Sequence, residues 1–409
     1  MPASPAKPAT GDFPTARSAE CPFDPATGYT EYRETDPIAR VSCPAGVDAW
    51  LVTRYDDART VLADPRLSSR RAPSMHVVPN ADLDDVPDIR SILQTDGDQH
   101  TQLRRLLTSE FTVKRMQALR PYLQGLIDDH LDKMLAGPGP VDLVEALALP
   151  IPSLVICELL GVPYAQRDRF QQHSNVLTAT DVPYDTLMAS VGEIQGFLRE
   201  LVVAKMATPA DDLLSRLIQR AAAAGSPMTV PELVSVGVSL LIAGHETTAN
   251  TIALSVATLL SNPEQLQLLR EDPGLMPSAV EEMLRYLSVL QFGLLRYVTE
   301  DIPLSEETLH AGDWLVVALS AGNRDVAVFP DADQVDVTRA ASAHLGFGYG
   351  AHQCLGQQLA RLELELVLST LFRRIPSLKL AVPLGELRFK NDTLVYGVRE
   401  LPVTWDTQA

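Results

Sequence analysis

Apolar residues recur at helical spacing through most of the chain. The spacing predicts helices over Met116 to Leu135, Ser153 to Leu160, Tyr164 to Leu177, Tyr184 to Ala204 and Asp212 to Ala223, mostly between Pro or Gly breakers. The longest run, Val230 to Leu260, reads as one apolar helix interrupted in character by Ala243-Gly244-His245-Glu246-Thr247-Thr248. Asn262-Pro263-Glu264-Gln265 has the cap, first-turn Pro and later Gln of a helix start, and a further helix begins at Pro277. Leu355, Leu359, Leu362 and Leu366 keep helical spacing near the C-terminus. Alternating or β-branched stretches are fewer: Ile38 to Ser42, Ala49 to Thr53, the region of Trp314 to Ser320, and the tail from Leu387 to Trp405. Tyr55 to Ala63 reads as a short helix closed by Asp64-Pro65, and Ser69 to Asp85 as a long loop of the kind used for lids and binding surfaces. The pattern is therefore mainly α with a small β portion. Nothing marks an internal boundary, so a loosely ordered arm over residues 1–30 is expected to lead into a single domain over 31–409.

Composition narrows the partners. The 409 residues, 46% of them hydrophobic, can bury a large core, and the formal net charge of -18 repels phosphate backbones and anionic headgroups. Nucleic acid and membrane are not expected partners. The apolar stretch around Val236 to Ala243 is too short to span a bilayer, and Met1 to Glu20 has no apolar core of a leader. Four cysteines, Cys21, Cys43, Cys157 and Cys354, lie far apart without paired-ligand spacing, which fits a reducing cytoplasmic setting.

One cysteine sits in special surroundings: Phe347-Gly348-Tyr349-Gly350-Ala351-His352-Gln353-Cys354-Leu355-Gly356, running into Gln357-Gln358-Leu359-Ala360-Arg361. Glycines that permit φ > 0 let backbone N–H groups approach the sulfur, at the mouth of a helix whose positive end favours a thiolate. Gly356 removes a side chain where a flat macrocycle would lie against the backbone, and an iron porphyrin held by Cys354 accounts for all of these glycines. The bland alternative is a small buried hydrophobe. The segment resembles the haem-ligand signature of the cytochrome P-450 family, Phe-Gly-x-Gly-x-His-x-Cys-x-Gly, at each defining position.

Other segments extend the resemblance. His100 and Arg104, four apart on a helix face, match a propionate-binding pair of the family, although such a pair alone is commonly a solvated face. Gly244-His245-Glu246-Thr247-Thr248 lacks the second histidine of a zinc protease, since Ala249 stands there, and instead resembles the family's acid-alcohol motif. By that resemblance Glu246 is the acid, Thr247 the alcohol, and Gly244 opens the helix groove. The threonines alternatively bond back to carbonyls one turn earlier, and both readings can hold for one residue. Glu282 and Arg285 resemble a buried structural pair that braces the cysteine loop; Gln334 stands where the family usually has an arginine, with Arg339 the candidate substitute. Arg296 and His352 match further propionate positions, Val289 to Leu295 a substrate-contacting segment, and Arg167 to Ala204 a pocket roof. A His352–Cys354 hydrolase is the rival for that pair, but it leaves the other segments unexplained.

The resemblance implies the cytochrome P-450 fold, with haem b between the long central helix and the helix following Cys354, its axial ligand. Phe347, Gly348, Gly350, His352 and Gly356 would line the cofactor along with His100, Arg104 and Arg296, while Glu246, Thr247 and Cys354 carry the chemistry. It implies a cytoplasmic, monomeric monooxygenase acting with O2 on a bulky apolar substrate by hydroxylation or epoxidation, in macrolide-like or polyketide-like biosynthesis. Electrons would come from a ferredoxin and ferredoxin reductase, docked on a basic patch of Arg105, Lys114, Arg115, Arg373 and Arg374. A non-catalytic haem-thiolate sensor and a peroxide-driven oxygenase on the same fold are the alternatives.

Overall fold

The computed structural model describes residues 9 to 406 apart from 14–16, 19–20, 44–46, 71–90, 138, 169–171, 174–175, 177–182 and 392. The expected loop Ser69 to Asp85 and the second half of the expected helix Tyr164 to Leu177 lie largely outside those residues.

The helices are α1 Gly28–Thr35, α2 Tyr55–Ala63, α3 Gly97–Thr108, α4 Val113–Ala136, α5 Pro150–Leu160, α6 Tyr184–Ala207, α7 Leu213–Ala223, α8 Val230–Ser261, α9 Pro263–Glu271, α10 Met276–Leu287, the short α11 Leu319–Gly322 and α12 Gln357–Arg374. The strands are β1 Gly11–Asp12, β2 Ile38–Ser42, β3 Asp48–Val52, β4 Leu67–Ser68, β5 Val141–Asp142, β6 Leu294–Val298, β7 Ile302–Leu304, β8 Glu307–Leu309, β9 Trp314–Val317, β10 Lys379–Leu380 and β11 Pro402–Thr404.

At the centre stands α8, opened by Thr229 and Glu232 in a reciprocal cap with Pro231 in its first turn. Its 32 residues are continuous, so the Gly-His-Glu-Thr-Thr insertion does not break it. The polar side chains are absorbed by back-bonding: Thr247 Oγ1 donates to the Ala243 carbonyl (2.6 Å), Asn250 Nδ2 to Glu246 (3.0 Å) and Thr251 Oγ1 to Thr247 (2.7 Å). Leucine, isoleucine and valine from α4, α5, α6, α7, α10 and α12 pack with α8 into one large core. Among the described residues no helix is long and apolar enough to cross a membrane.

A six-stranded sheet in the order β1-β2-β3-β9-β6-β4 forms most of the β portion, beside the small sheets β10-β11-β5 and β7-β8. β2 and β3 pair antiparallel as neighbours in sequence, whereas β3 pairs parallel with the distant β9, Leu51 opposite Val316. The tail forms less sheet than its alternation predicts, with β11 and two isolated bridges in place of extended strands. The described part of the N-terminal arm is packed. Phe13 and Tyr29 are each 1% exposed, and Arg17 lies over the Tyr396 ring, 3.7 Å from its centroid. Aromatic residues with a sheet face and a C-terminal loop to cover account for that order.

Candidate active site

Cys354 follows a loop whose shape is imposed from outside. Gly346 abuts the Leu284 carbonyl of α10, and a Cβ on Gly350 would overlap the Leu62 carbonyl of α2; Gly350 has φ +75°. The helices on either side thus require these two glycines, of which Gly350 is one that the sequence reading credits to the cofactor. Gly348 (φ +67°) faces Leu294, and Gly356 alone among the loop glycines has nothing within 4 Å of where a Cβ would stand. Gly356 leaves the open ground that a flat macrocycle needs. The Gly244 position points at Ile156 of α5, so its missing side chain serves helix packing and not an opened groove.

Cys354 N donates to the Phe347 carbonyl (2.8 Å), and α12 begins three residues after the cysteine. Of the four cysteines Cys354 alone is exposed, yet protein surrounds it on most sides, so the sulfur opens into a recess and not onto the outer surface. Burial pushes its thiol up; the N–H groups of Gly356 and Gln357 and the charges of Arg104 and Arg361 pull the other way without cancelling it. The helix mouth and these cations favour the thiolate, and a metal cation displacing the proton would favour it further.

Around this recess gather basic side chains with few protein partners. His100 is 3% exposed and its Nε2 has no hydrogen-bond partner. Burial, then the neighbouring charges of His352 and Arg104, lower its pKa to about 4. Arg296, on β6, is 7% exposed and spends one bond on the adjacent Leu295 carbonyl (2.7 Å). Arg104 and Arg296 are both lowered by burial. Buried guanidinium and imidazole groups lacking acceptors fit an anionic ligand, and the two propionates of an iron porphyrin supply such acceptors. His352 differs: its Nε2 is 3.0 Å from Asp96 Oδ1, and its ring stacks at 4.0 Å on His100. A propionate meeting His352 would have to share it with Asp96. Burial raises the Asp96 carboxyl, but donors from His352, Ser68 and Ser69 outweigh this and hold it well below the usual range.

Glu246 and Thr247 lie on α8, which packs against α12. Burial raises the Glu246 carboxyl, opposed by Lys390, whose Nζ is 3.6 Å from Oε1. Next to Thr247, Thr248 hydrogen-bonds Glu363 of α12, a fully buried carboxyl that burial pushes up to about 8 against the pull of that bond. His245 bonds the backbone of Leu149 and feels the charge of Lys390.

The brace beneath the cysteine loop is complete. Glu282 and Arg285 form a bidentate pair (2.8 Å twice) with both side chains fully buried, and Arg285 also donates to the carbonyls of Asn323, Ala332 and Gln334. Arg339 Nε reaches Glu282 Oε1 at 3.3 Å, so Arg339 supplies the third limb and Gln334 contributes only its carbonyl. Of the nominated basic patch, Arg374 is engaged by Asp128 and Asp132 and Arg115 by Glu110.

Sequence reasoning missed Asp96, Lys390 and Glu363. Asp96 carried a usable signal, four residues before His100 at the mouth of α3. Lys390 and Glu363 carried none, because each meets α8 across more than a hundred residues of chain.

The chain is similar to known proteins over almost all its length. The sequence model of the family described as Cytochrome P450 matches residues 169–378. Cytochrome P450 CYP105Q4 of Mycobacterium marinum is 46% identical, with 96% of each chain covered, and pentalenic acid synthase of Streptomyces avermitilis is likewise 46% identical over 96% of this chain and 97% of its own. The structure of mycinamicin VIII C21 methyl hydroxylase from Micromonospora griseorubida, bound to mycinamicin VIII, superposes with a TM-score of 0.88 at 40% identity, covering 97% of this chain and all of its own.

Proposed function

The chain belongs to the cytochrome P450 family and is a haem-thiolate monooxygenase, and from that premise we propose that Cys354 is the axial ligand and that the enzyme oxidises a bulky apolar natural product of macrolide or polyketide type. The haem, when bound, supplies reductive activation of O2 and insertion of one oxygen atom, a thiolate ligand favouring O–O cleavage over reversible oxygen storage.

The residues divide the remaining work. Arg104 and Arg296 neutralise the propionates through charge-assisted bonds, while His100, and His352 shared with Asp96, offer ring N–H donors to them. Phe347, Gly348, Gly350 and Gly356 shape the cofactor's bed. Glu246 takes protons from water and hands them toward Thr247. Since Thr247 donates to the Ala243 carbonyl, its oxygen presents lone pairs, and it relays a proton by exchanging that donated bond for another. Electrons come from a separate ferredoxin and its reductase, docking near Arg105, Lys114 and Arg373.

The observation that carries this reading is the partnerless His100 Nε2 in a buried cluster of basic side chains around the Cys354 recess. The substrate class is supported by the mycinamicin-hydroxylating relative and by the apolar Ile242 and Leu394 side chains, 52% and 42% exposed on α8 and on the loop between Phe389 and Val398. Spectral titration with macrolides and smaller polyketides tests it. Loss of the iron-bound water signal is expected with at least the bulky apolar members. A ferric spectrum unmoved by all of them refutes the substrate class, and a reduced carbon monoxide complex without the red-shifted Soret band refutes Cys354 as ligand.

A further inference from the structure

The loop between Phe389 and Val398, joined by a bridge at its two ends, is held against two elements at once. On one side it runs along the segment after α10. Gln291 Nε2 donates to the carbonyls of Asn391 (2.7 Å) and Thr393 (3.2 Å), Gln291 N to Leu394 (3.1 Å), and Tyr396 N to Val289 (2.8 Å). On the other side it is wedged onto α8, where a Cβ on Gly397 would overlap the amide of Asn250, which itself bonds the Glu246 carbonyl. Lys390 N donates to the Gly397 carbonyl (2.8 Å), so the lysine's backbone is fixed to the residue seated on α8. Its side chain, 10% exposed, then ends at Glu246, 17% exposed.

We propose that Lys390 is the positioning residue for Glu246: carried by a loop anchored to Val289–Gln291, its ammonium holds the carboxylate in place and ties that placement to the segment bordering substrate. This rests on the reading of Glu246 as the proton-handling acid. An ammonium buried to this degree is retained only beside an anion, and among the described residues no other carboxylate lies within ion-pair distance of it. Burial lowers the Lys390 amine and raises the Glu246 carboxyl, and each group pulls the other back toward its charged form. The other titratable groups facing this pair are His245 on α8, lowered to about 4 by burial, Arg399 behind Lys390, and Glu363 of α12 through Thr248.

The test uses the haem-loaded enzyme with Lys390→Met, Lys390→Arg and Glu246→Gln. In the resting protein, the infrared carbonyl band of protonated Glu246, identified by its loss in Glu246→Gln, is followed against pH. Lys390→Met should move its titration upward by about one pH unit or more, a tenfold change in the ratio of protonation states, and Lys390→Arg should restore it. The limb of the turnover pH profile that disappears in Glu246→Gln should move with the band. An unmoved band and limb in Lys390→Met, with Glu246→Gln still lowering product formed per O2, overturns the role of Lys390 alone. Glu246→Gln with undiminished product per O2 overturns the relay reading and the positioning role with it. Should Lys390→Met fail to retain haem, a Lys390→Arg protein with a displaced band overturns the proposal and one with the wild-type band supports it.

Discussion

Replacing Arg285 by Met keeps the length and apolar volume of the side chain while removing its guanidinium donors from the buried brace. Glu282 would keep Arg339 at 3.3 Å and the Asp336 N–H at 3.0 Å, but would lose its bidentate partner, and the carbonyls of Asn323, Ala332 and Gln334 would lose a guanidinium donor. Removing one partner of a buried pair costs about 3–5 kcal/mol because the other charge is left uncompensated. The residual bonds to Glu282 favour the lower end and the three stranded carbonyls the upper, so a loss of about 4 kcal/mol is expected, a large part of a ~5–15 kcal/mol stability. The damage should pass to the cysteine loop, since Asn323 Oδ1 accepts from Leu345 N at 2.6 Å just before that loop begins. Denaturant unfolding followed by far-ultraviolet dichroism and by haem absorbance measures both effects, and haem should leave at lower denaturant than helix melts. The double replacement of Glu282 and Arg285 by Met should be more stable than Arg285→Met alone, because it buries no lone charge. A loss under about 1 kcal/mol, the size of an ordinary neutral hydrogen bond, or a double variant no more stable than the single, would refute the brace as described.

Three further outcomes follow from the site. Glu363, whose folded pKa of about 8 stands above its unfolded value, binds more protons in the folded state. Its contribution is fully present below about pH 4 and lost as pH rises toward 8, by up to ~1.4 kcal/mol per unit, and Glu363→Gln should flatten that slope in a pH series of thermal unfolding. Gly350→Ala adds a left-handed penalty of about 1–2 kcal/mol to a backbone overlap with Leu62, so it should lower the melting temperature and speed haem loss, whereas Gly356→Ala should weaken haem binding without destabilising the protein freed of haem. Arg296→Ala removes one charge-assisted contact worth about 1.5–3 kcal/mol, and transfer of haem to an acceptor globin should run roughly tenfold to a hundredfold faster.

Short-range pattern made much of this molecule readable. Ile38 to Ser42 and Tyr55 to Ala63 coincide with β2 and α2, because alternation and 3.6-residue spacing report directly on which face is buried. His100 and Arg104 share a helix face as their spacing requires. What stayed hidden depended on contacts between distant segments. Gly350 looked like a cofactor glycine because nothing local announces the Leu62 carbonyl pressed against it. Arg339 was distinguishable from Gln334 only once the chain between them turned back on Glu282. Phe13 and Tyr29 looked like members of a loose arm because a solitary aromatic in a polar stretch carries no period.

The parallel pairing of β3 with β9 has a consequence for synthesis. Leu51 must wait for Val316, 265 residues downstream, before its outer edge is covered. At roughly 5–20 residues per second, that edge stays unpaired on a growing chain for some tens of seconds. The β2–β3 hairpin emerges early with Trp50, Leu51 and Val52, so the first sixth of the polypeptide carries an open strand edge until β9 is made.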